Sequence, residues 1–219
     1  NDNYAQYFTN AGSSSLIGEI TAGYLWTSSY RDNEYQIDDF RKALPARVKS
    51  MLGDKVKFIV LLRNPVHRAI SAYLHHHYNG SFSDKSISDC WHDDGIVHMG
   101  FYSHHLDSWL HEFNRKNFHI TTFEKAIQNK QHYLDSVCDF FDISHFIPAQ
   151  SERKYQAKYH YTITPDGVFV ELEEGTKKLI EPNEIKALYH LYKQEIERLT
   201  ERHNVDTQHW RAPPTEQRL

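Results

Sequence analysis

Cysteine is scarce in this chain, with only Cys90 and Cys138 among 219 residues. Two cysteines do not make the disulfide framework of a small secreted domain, so their number indicates a reducing compartment. Cys138 lies at helical spacing with Leu134 and Phe141, which predicts a buried thiol in the core.

Long apolar runs are also lacking. No stretch of 18 apolar residues occurs, so we expect no membrane-spanning helix. Residues 1–15 have neither the basic start nor the apolar core of a signal peptide. Because the chain begins at Asn1 rather than at a methionine, we expect a fragment from which any targeting segment has been lost.

An excess of basic residues and the common zinc motifs are missing as well. The net charge is −4, which argues against a nucleic-acid partner and means that any anion site must be local. There are 16 histidines, but neither HExxH nor CxxC occurs. His75, His76 and His77 are consecutive, and consecutive helical residues point about 100° apart. We therefore interpret them as solvated or hydrogen-bonded side chains and expect no metal.

Strand and helix patterns alternate through the middle of the chain. The aliphatic run 56–62 predicts a strand buried on both faces, and 118–123 predicts a second strand. Apolar residues at 3–4 spacing predict helices over 100–113 and about 183–203. Residues 161–172 surround Pro-Asp-Gly, a hairpin signal. This order predicts an α/β fold, a P-loop-NTPase-like parallel sheet flanked by helices, with a small C-terminal β-hairpin.

Arg63 stands where the first predicted strand ends and a helix begins. Pro65 suits the first helical position and Asn64 its cap. In open parallel sheets ligands bind at the carboxyl ends of the strands, and a helix N-terminus attracts anions. Arginine grips a phosphate through two parallel hydrogen bonds, and a serine hydroxyl adds another. Arg63 and Ser71 therefore indicate a phosphate site. The structural alternative is an Arg63 paired with a neighbouring carboxylate and a Ser71 that faces solvent.

The motif LLRNPVHRAISAY (61–73) closely resembles the 3′-phosphate-binding motif of sulfotransferases that use 3′-phosphoadenylyl sulfate (PAPS). In that family the first arginine and the serine hold the 3′-phosphate, and the resemblance gives these roles to Arg63 and Ser71. Residues 18–25, GEITAGYL, look like the Gly-Glu-Lys-Ser/Thr-Pro-x-Tyr segment of heparan-sulfate-type members. Residues 100–113 match their Gly-x-Tyr-x-x-His-Leu-x-x-Trp-Leu pattern.

The resemblance continues toward the C-terminus. Residues 120–143 match the family's strand, Phe-Glu and following helix, and TQHW (207–210) matches the end of its domain. The hairpin and the segment after it resemble the family's cofactor loop, a turn before the last helix. By that match Gly175, Thr176 and Lys177 line the cofactor phosphates, with Arg153 and Lys154 as competing candidates. The resemblance implies one domain over 1–210, and the composition of 211–219 predicts a loose tail.

Departures from the family pattern are equally specific. The Lys-x-Gly-Thr loop that cradles the 5′-phosphosulfate is missing, since no lysine precedes Lys42. The family's usual catalytic glutamate, just after that loop, is missing too, so we expect an N-terminally incomplete domain. Ile20 replaces the lysine that heparan-type enzymes use near the acceptor, which weakens the case for heparan-like substrates. The missing hairpin cysteines favour a bacterial-cytoplasm-like setting over the Golgi lumen expected of a eukaryotic member.

The catalytic base is predicted from the matched motifs. Glu19 and His105 both fall in them and are the candidates to take a proton from an acceptor hydroxyl. The structural alternatives are a Glu19 hydrogen-bonded to backbone near the glycines and a His105 packed beside Trp109.

The resemblance implies transfer of a sulfuryl group from PAPS to a hydroxyl of a carbohydrate or small metabolite, with 3′-phosphoadenosine 5′-phosphate (PAP) as product and no metal. A domain of a larger biosynthetic protein is one setting. Tyr102 and the histidines at 75–77 are candidate acceptor contacts, and 27–45 and 79–98 candidate acceptor loops. Two alternatives stay open: a nucleotide-binding relative without turnover, and a kinase-like phosphoryl transferase. If the N-terminal loop is truly absent, this chain alone is inactive.

Overall fold

The computed structural model describes residues 6–12, 16–27, 29–31, 34–36, 43–148, 160–172, 175–210 and 217–218. Arg153, Lys154 and nine of the 19 residues of the proposed loop 27–45 lie outside this part. The helices are α1 (Leu44–Leu52), α2 (Pro65–Tyr78), α3 (Tyr102–Glu112), α4 (Phe123–Gln128), α5 (Lys130–Phe141) and α6 (Pro182–His203). The strands are β1 (Ser29–Arg31), β2 (Glu34–Gln36), β3 (Phe58–Leu62), β4 (Phe118–Thr122), β5 (His160–Thr164), β6 (Gly167–Leu172), β7 (Gly175–Ile180) and β8 (Gln217–Arg218). None of the helices described has the length and apolar content to cross a membrane.

The predicted parallel pairing is confirmed. β3 and β4 run side by side, in register from Phe58 opposite Phe118 to Leu62 opposite Thr122. The prediction that β3 is buried on both faces is wrong: Ile59 and Leu61 keep 43% and 45% of their surface exposed. Alternate side chains of a strand point to opposite faces, and only the face of Phe58 and Leu62 packs on the core.

Local signals at the start of α2 act as predicted. The side chain of Asn64 accepts a hydrogen bond from the backbone N–H of Val66 at 3.0 Å, and Pro65 takes the first helical position. The helix then buries Ile70 and Leu74 completely. Their burial fixes α2 against the core, so the residues at its N-terminus have a defined place at the end of β3.

The C-terminal sheet is larger than the predicted hairpin. β5 and β6 form the hairpin, and β7 and β8 extend it to the order β7-β6-β5-β8. The turn expected at 175–177 is not found, because Gly175–Ile180 forms β7. Thr176 and Lys177 pair there with Glu171 and Val170. β7 is an edge strand of this sheet, and its exposed Lys177 and Lys178 discourage pairing with the edge of another sheet. Two residues of the segment predicted as tail, Gln217–Arg218, form β8.

The last helix buries the face that its apolar spacing predicted. α6 begins with a reciprocal capping box between Glu181 and Glu184, and it buries Leu188 and Tyr192 completely. Glu195 lies on the same buried face, where its carboxylate accepts a hydrogen bond from the backbone N–H of Ser103 at the start of α3. Burial raises the pKa of Glu195 to about 7. The contact between α3 and α6 thus contains a carboxyl group that favours its protonated form.

Glu195 is expected to make the stability of the fold fall as the pH rises. Its folded-state pKa lies above its ordinary value of 4.5, so its contribution is complete below about pH 4.5 and is lost as the pH rises through about 7. Glu195→Gln keeps an oxygen for Ser103 and removes the titration. We therefore expect the variant to gain about 2 kcal/mol relative to the natural chain between pH 5 and pH 8. Urea unfolding of both proteins at the two pH values measures this difference.

Comparison of the two proteins cancels every titration they share. Equal pH dependence of the two unfolding free energies would mean that Glu195 does not titrate differently in the folded and unfolded chains.

Candidate functional site

The carboxyl ends of β3 and β4 lie side by side, since Leu62 is the partner of Thr122. Arg63 leaves β3 half-buried, and its Nη2 donates a hydrogen bond to the Tyr161 hydroxyl at 3.0 Å. Its guanidinium carbon lies 5.7 Å from the centre of the Phe123 ring, within cation–π range. No ion pair involves Arg63 among the residues described, so its positive charge is held by neutral groups and stays available for an anion.

A cavity of about 240 Å³ opens beside Arg63. Its walls combine cationic, acidic and aromatic groups, contributed by Arg63, Asn64, His67, Phe123, Glu124, Ile127, His209 and Trp210. This lies at the carboxyl end of the parallel strands, where ligands of open α/β sheets bind. Ser71 is half-buried in α2 and is not part of the cavity wall. The structure therefore places Arg63 in the cavity and Ser71 two helical turns further along.

His67 follows Arg63 by four residues and precedes Ser71 by four, which is the spacing of one side of a helix. It is buried, with Nε2 3.4 Å from the Tyr189 hydroxyl. Burial, followed by the neighbouring Arg63 charge, lowers the pKa of His67 to about 4. At neutral pH the cavity wall thus contains a neutral imidazole as well as the Arg63 guanidinium.

The carboxylate of Glu124 closes the other side of the cavity. Its Oε1 accepts a hydrogen bond from the backbone N–H of Asn64 at 2.9 Å, and its Oε2 lies 3.6 Å from Nε2 of His209. The same nitrogen of His209 is 3.5 Å from Oγ1 of Thr122. Glu124 therefore joins the end of β3 to the C-terminal segment.

Several of these residues were not predicted as site residues, although some of them lie in segments that match the family pattern. Phe123 and Glu124 directly follow β4, and the rule that parallel strand ends share one edge would have found them. His67 could be found by its spacing from Arg63. No local pattern assigns Tyr161 or His209 to this site, because they reach it only through the packing of distant segments.

The environment of His105 indicates a structural role, through hydrogen bonds rather than through the predicted packing beside Trp109. It is fully buried in α3. Its Nε2 donates a hydrogen bond to the carbonyl of His98 at 3.0 Å, and its Nδ1 accepts one from the N–H of Thr27 at 3.3 Å. Burial lowers the pKa of His105 to about 4. Both ring nitrogens thus serve to tie three segments together, and neither faces an open site.

Tyr102, a candidate acceptor contact, is also buried, and burial raises its pKa to about 12. Its hydroxyl donates a hydrogen bond to the backbone carbonyl of Arg63 at 2.9 Å. Glu19, by contrast, is exposed and hydrogen-bonds the side chain of Tyr24, raising the pKa of that phenol. Tyr102 therefore contacts the backbone of Arg63.

The amino-acid sequence of this chain is similar to those of known proteins. A model of the family described as "Sulfotransferase domain" matches residues 40–161. Human sulfotransferase 2B1 is 28% identical over 102 residues, which cover 44% of this chain and 28% of that protein. Human heparan sulfate glucosamine 3-O-sulfotransferase 3B1 is 29% identical over 115 residues, covering 47% of this chain and 28% of its own length. The matched regions thus span less than a third of these relatives.

A solved structure shares the fold over nearly the whole chain. The crystal structure of a sulfotransferase from Alicyclobacillus acidocaldarius superposes with a TM-score of 0.70 at 19% identity. The superposition covers 97% of this chain and 74% of the other.

Proposed function

The chain belongs to the sulfotransferase domain family, and on that premise we propose that the cavity beside Arg63 binds PAPS and PAP through the 3′-phosphate. The match over residues 40–161 contains the Arg63 motif. The observation that carries the proposal is the position of Arg63 at the end of β3, where its guanidinium lines the cavity and contacts the neutral side chains of Tyr161 and Phe123. A phosphate there gains charge-assisted hydrogen bonds and the positive end of α2.

The proposed reaction is transfer of the sulfuryl group to a hydroxyl of a carbohydrate or small metabolite. In such a transfer the attacking oxygen, the sulfur and the leaving oxygen lie in line, and the protein supplies position and charge. Arg63 anchors the nucleotide at a point remote from the reacting bond. Both nitrogens of the buried His105 are occupied, so Glu19, whose exposed carboxylate accepts a hydrogen bond from Tyr24, is the base that we propose.

Further parts of the proposal concern the chain as a whole. We take residues 1–210 as one domain that acts on a small-molecule or carbohydrate acceptor without nucleic acid or metal. Cys90 and Cys138 are both free and buried, which supports a reducing compartment such as the bacterial cytoplasm.

Calorimetric titration with PAP, ATP and 5′-AMP tests the proposal. We expect PAP to bind at least about tenfold more tightly than either mononucleotide, because only PAP carries a 3′-phosphate. Tighter binding of ATP would favour the kinase-like alternative and overturn the proposal. Labelled PAPS with a panel of hydroxyl acceptors then tests turnover: PAP binding without transfer would favour the alternative of a nucleotide-binding relative without turnover.

A further inference from the structure

The peptide bond that joins Arg63 to Asn64, here called the junction peptide, is held at both ends. Its carbonyl accepts a hydrogen bond from the Tyr102 hydroxyl at 2.9 Å. Its N–H donates one to Oε1 of Glu124, also at 2.9 Å. The two side chains come from different helices, Tyr102 from the start of α3 and Glu124 from the start of α4. A backbone unit between a strand and a helix is thus fixed by side chains rather than by either element.

The orientation of the junction peptide determines where Arg63 points. A peptide unit is planar, so hydrogen bonds at its carbonyl and its N–H set the direction of the Cα atoms on both sides. The register of β3 and β4 brings Phe123 and Glu124 beside Arg63 and Asn64. Phe123 then contacts the guanidinium while Glu124 holds the backbone.

A carboxylate in this place has an electrostatic cost for anion binding. Glu124 shares the cavity wall with Arg63, and its negative charge repels a phosphate bound in the same small cavity. Its Oε2 is buried and, among the residues described, has no hydrogen-bond partner. The hydrogen bond of Oε1 to the junction peptide and the contact of Oε2 with Nε2 of His209, at 3.6 Å, offset the repulsion.

We propose that Tyr102 and Glu124 are positioning residues that hold the junction peptide in the plane that directs Arg63 into the cavity, and so set the preference for a ligand with a phosphate on the ribose 3′-oxygen. This inference rests on the proposed function, because it assigns Arg63 to that phosphate.

A pair of substitutions separates the hydrogen bond from the charge of Glu124. Glu124→Gln keeps an acceptor oxygen at the same reach and removes the charge, whereas Glu124→Asp keeps the charge and withdraws the oxygen. Tyr102→Phe removes the donor on the other side. We expect PAP to bind about tenfold more weakly to Glu124→Asp and to Tyr102→Phe, and within about threefold of the natural affinity to Glu124→Gln.

Titration with 5′-AMP distinguishes a positioning role from a general loss of structure at the cavity, which would weaken the binding of both nucleotides. Since 5′-AMP lacks the 3′-phosphate, its affinity should change less than about threefold in all three variants, so that only the preference for PAP falls. The double variant with Tyr102→Phe and Glu124→Asp should lose less than the product of the two single losses, because both act on one peptide.

Three results would overturn the inference, and they are distinguishable. Equal losses of PAP and 5′-AMP would show a structural role only. Natural PAP affinity in both Glu124→Asp and Tyr102→Phe would refute the positioning role and leave the proposed function standing. Failure of the natural chain to bind PAP would refute the proposed function and the inference with it. Thermal melts check that each variant folds, and if Glu124→Asp does not, Tyr102→Phe decides.

Discussion

Arg63→Ala is expected to weaken PAP binding at least about a hundredfold, the largest loss that we expect from any cavity residue. The substitution removes the guanidinium that forms charge-assisted, two-fold hydrogen bonds to a phosphate, each worth roughly 1.5–3 kcal/mol. It leaves Tyr161 and Phe123 without their cationic partner but keeps the backbone at the end of β3. Calorimetric titration with PAP measures the loss, and a thermal melt shows whether the fold is kept.

Two further variants serve as controls for the loss of PAP affinity in Arg63→Ala. Arg63→Lys keeps the charge without the planar fork, so we expect an intermediate loss of about tenfold. Arg198→Ala removes an arginine from the exposed side of α6 and should leave PAP affinity within about twofold. If Arg63→Ala binds PAP as tightly as Arg198→Ala does, Arg63 does not hold the phosphate and the site assignment fails.

Gly100→Ala is expected to destabilise the fold by about 3 kcal/mol. A Cβ atom at Gly100 would lie 2.6 Å from the hydroxyl oxygen of Tyr192 and 2.8 Å from two carbons of its ring. The ring has no room to retreat, because Tyr192 is fully buried and its hydroxyl donates a hydrogen bond to the Val97 carbonyl at 2.6 Å. Either the backbone before α3 shifts or that buried hydrogen bond is lost. For a chain of this size the melting temperature should fall by roughly 10 °C.

Gly23→Ala is the matched control for this effect. A Cβ atom at Gly23 would meet no heavy atom within 4 Å, and the backbone there does not adopt the left-handed conformation. We expect the melting temperature of this variant to stay within about 2 °C of the natural value. A similarly small change in Gly100→Ala would show that Tyr192 accommodates the added carbon.

Local chemistry made the junction after β3 predictable. Asn64 and Pro65 are a cap and a first helical residue whatever the rest of the chain does, and Arg63 occupies the position that a parallel strand presents to a ligand. The same holds for α6, whose apolar spacing alone defines its buried face. In these places the signal lies within one turn or one strand of the residue concerned.

Long-range packing decided what the sequence left open. No local pattern around His105 indicates that Thr27 and His98 occupy its ring nitrogens. A motif match therefore could not distinguish a catalytic base from a buried histidine that links segments of the fold. Thr176 and Lys177 belong to β7 because they pair with β6, which overrides the turn that the resemblance implied. Tyr161 reaches Arg63 across 98 positions of the chain. Such contacts follow from the assembled fold and have no local pattern.

The cavity walls come from residues scattered between Arg63 and Trp210, so no partly folded chain can present them together. A nucleotide that fits this cavity binds the completed fold alone, and at about a hundred times its dissociation constant it would add about 2.7 kcal/mol to the unfolding free energy. The melting temperature would then rise with nucleotide concentration, and the bound nucleotide would report on whether the segments from the end of β3 to Trp210 have reached their native arrangement.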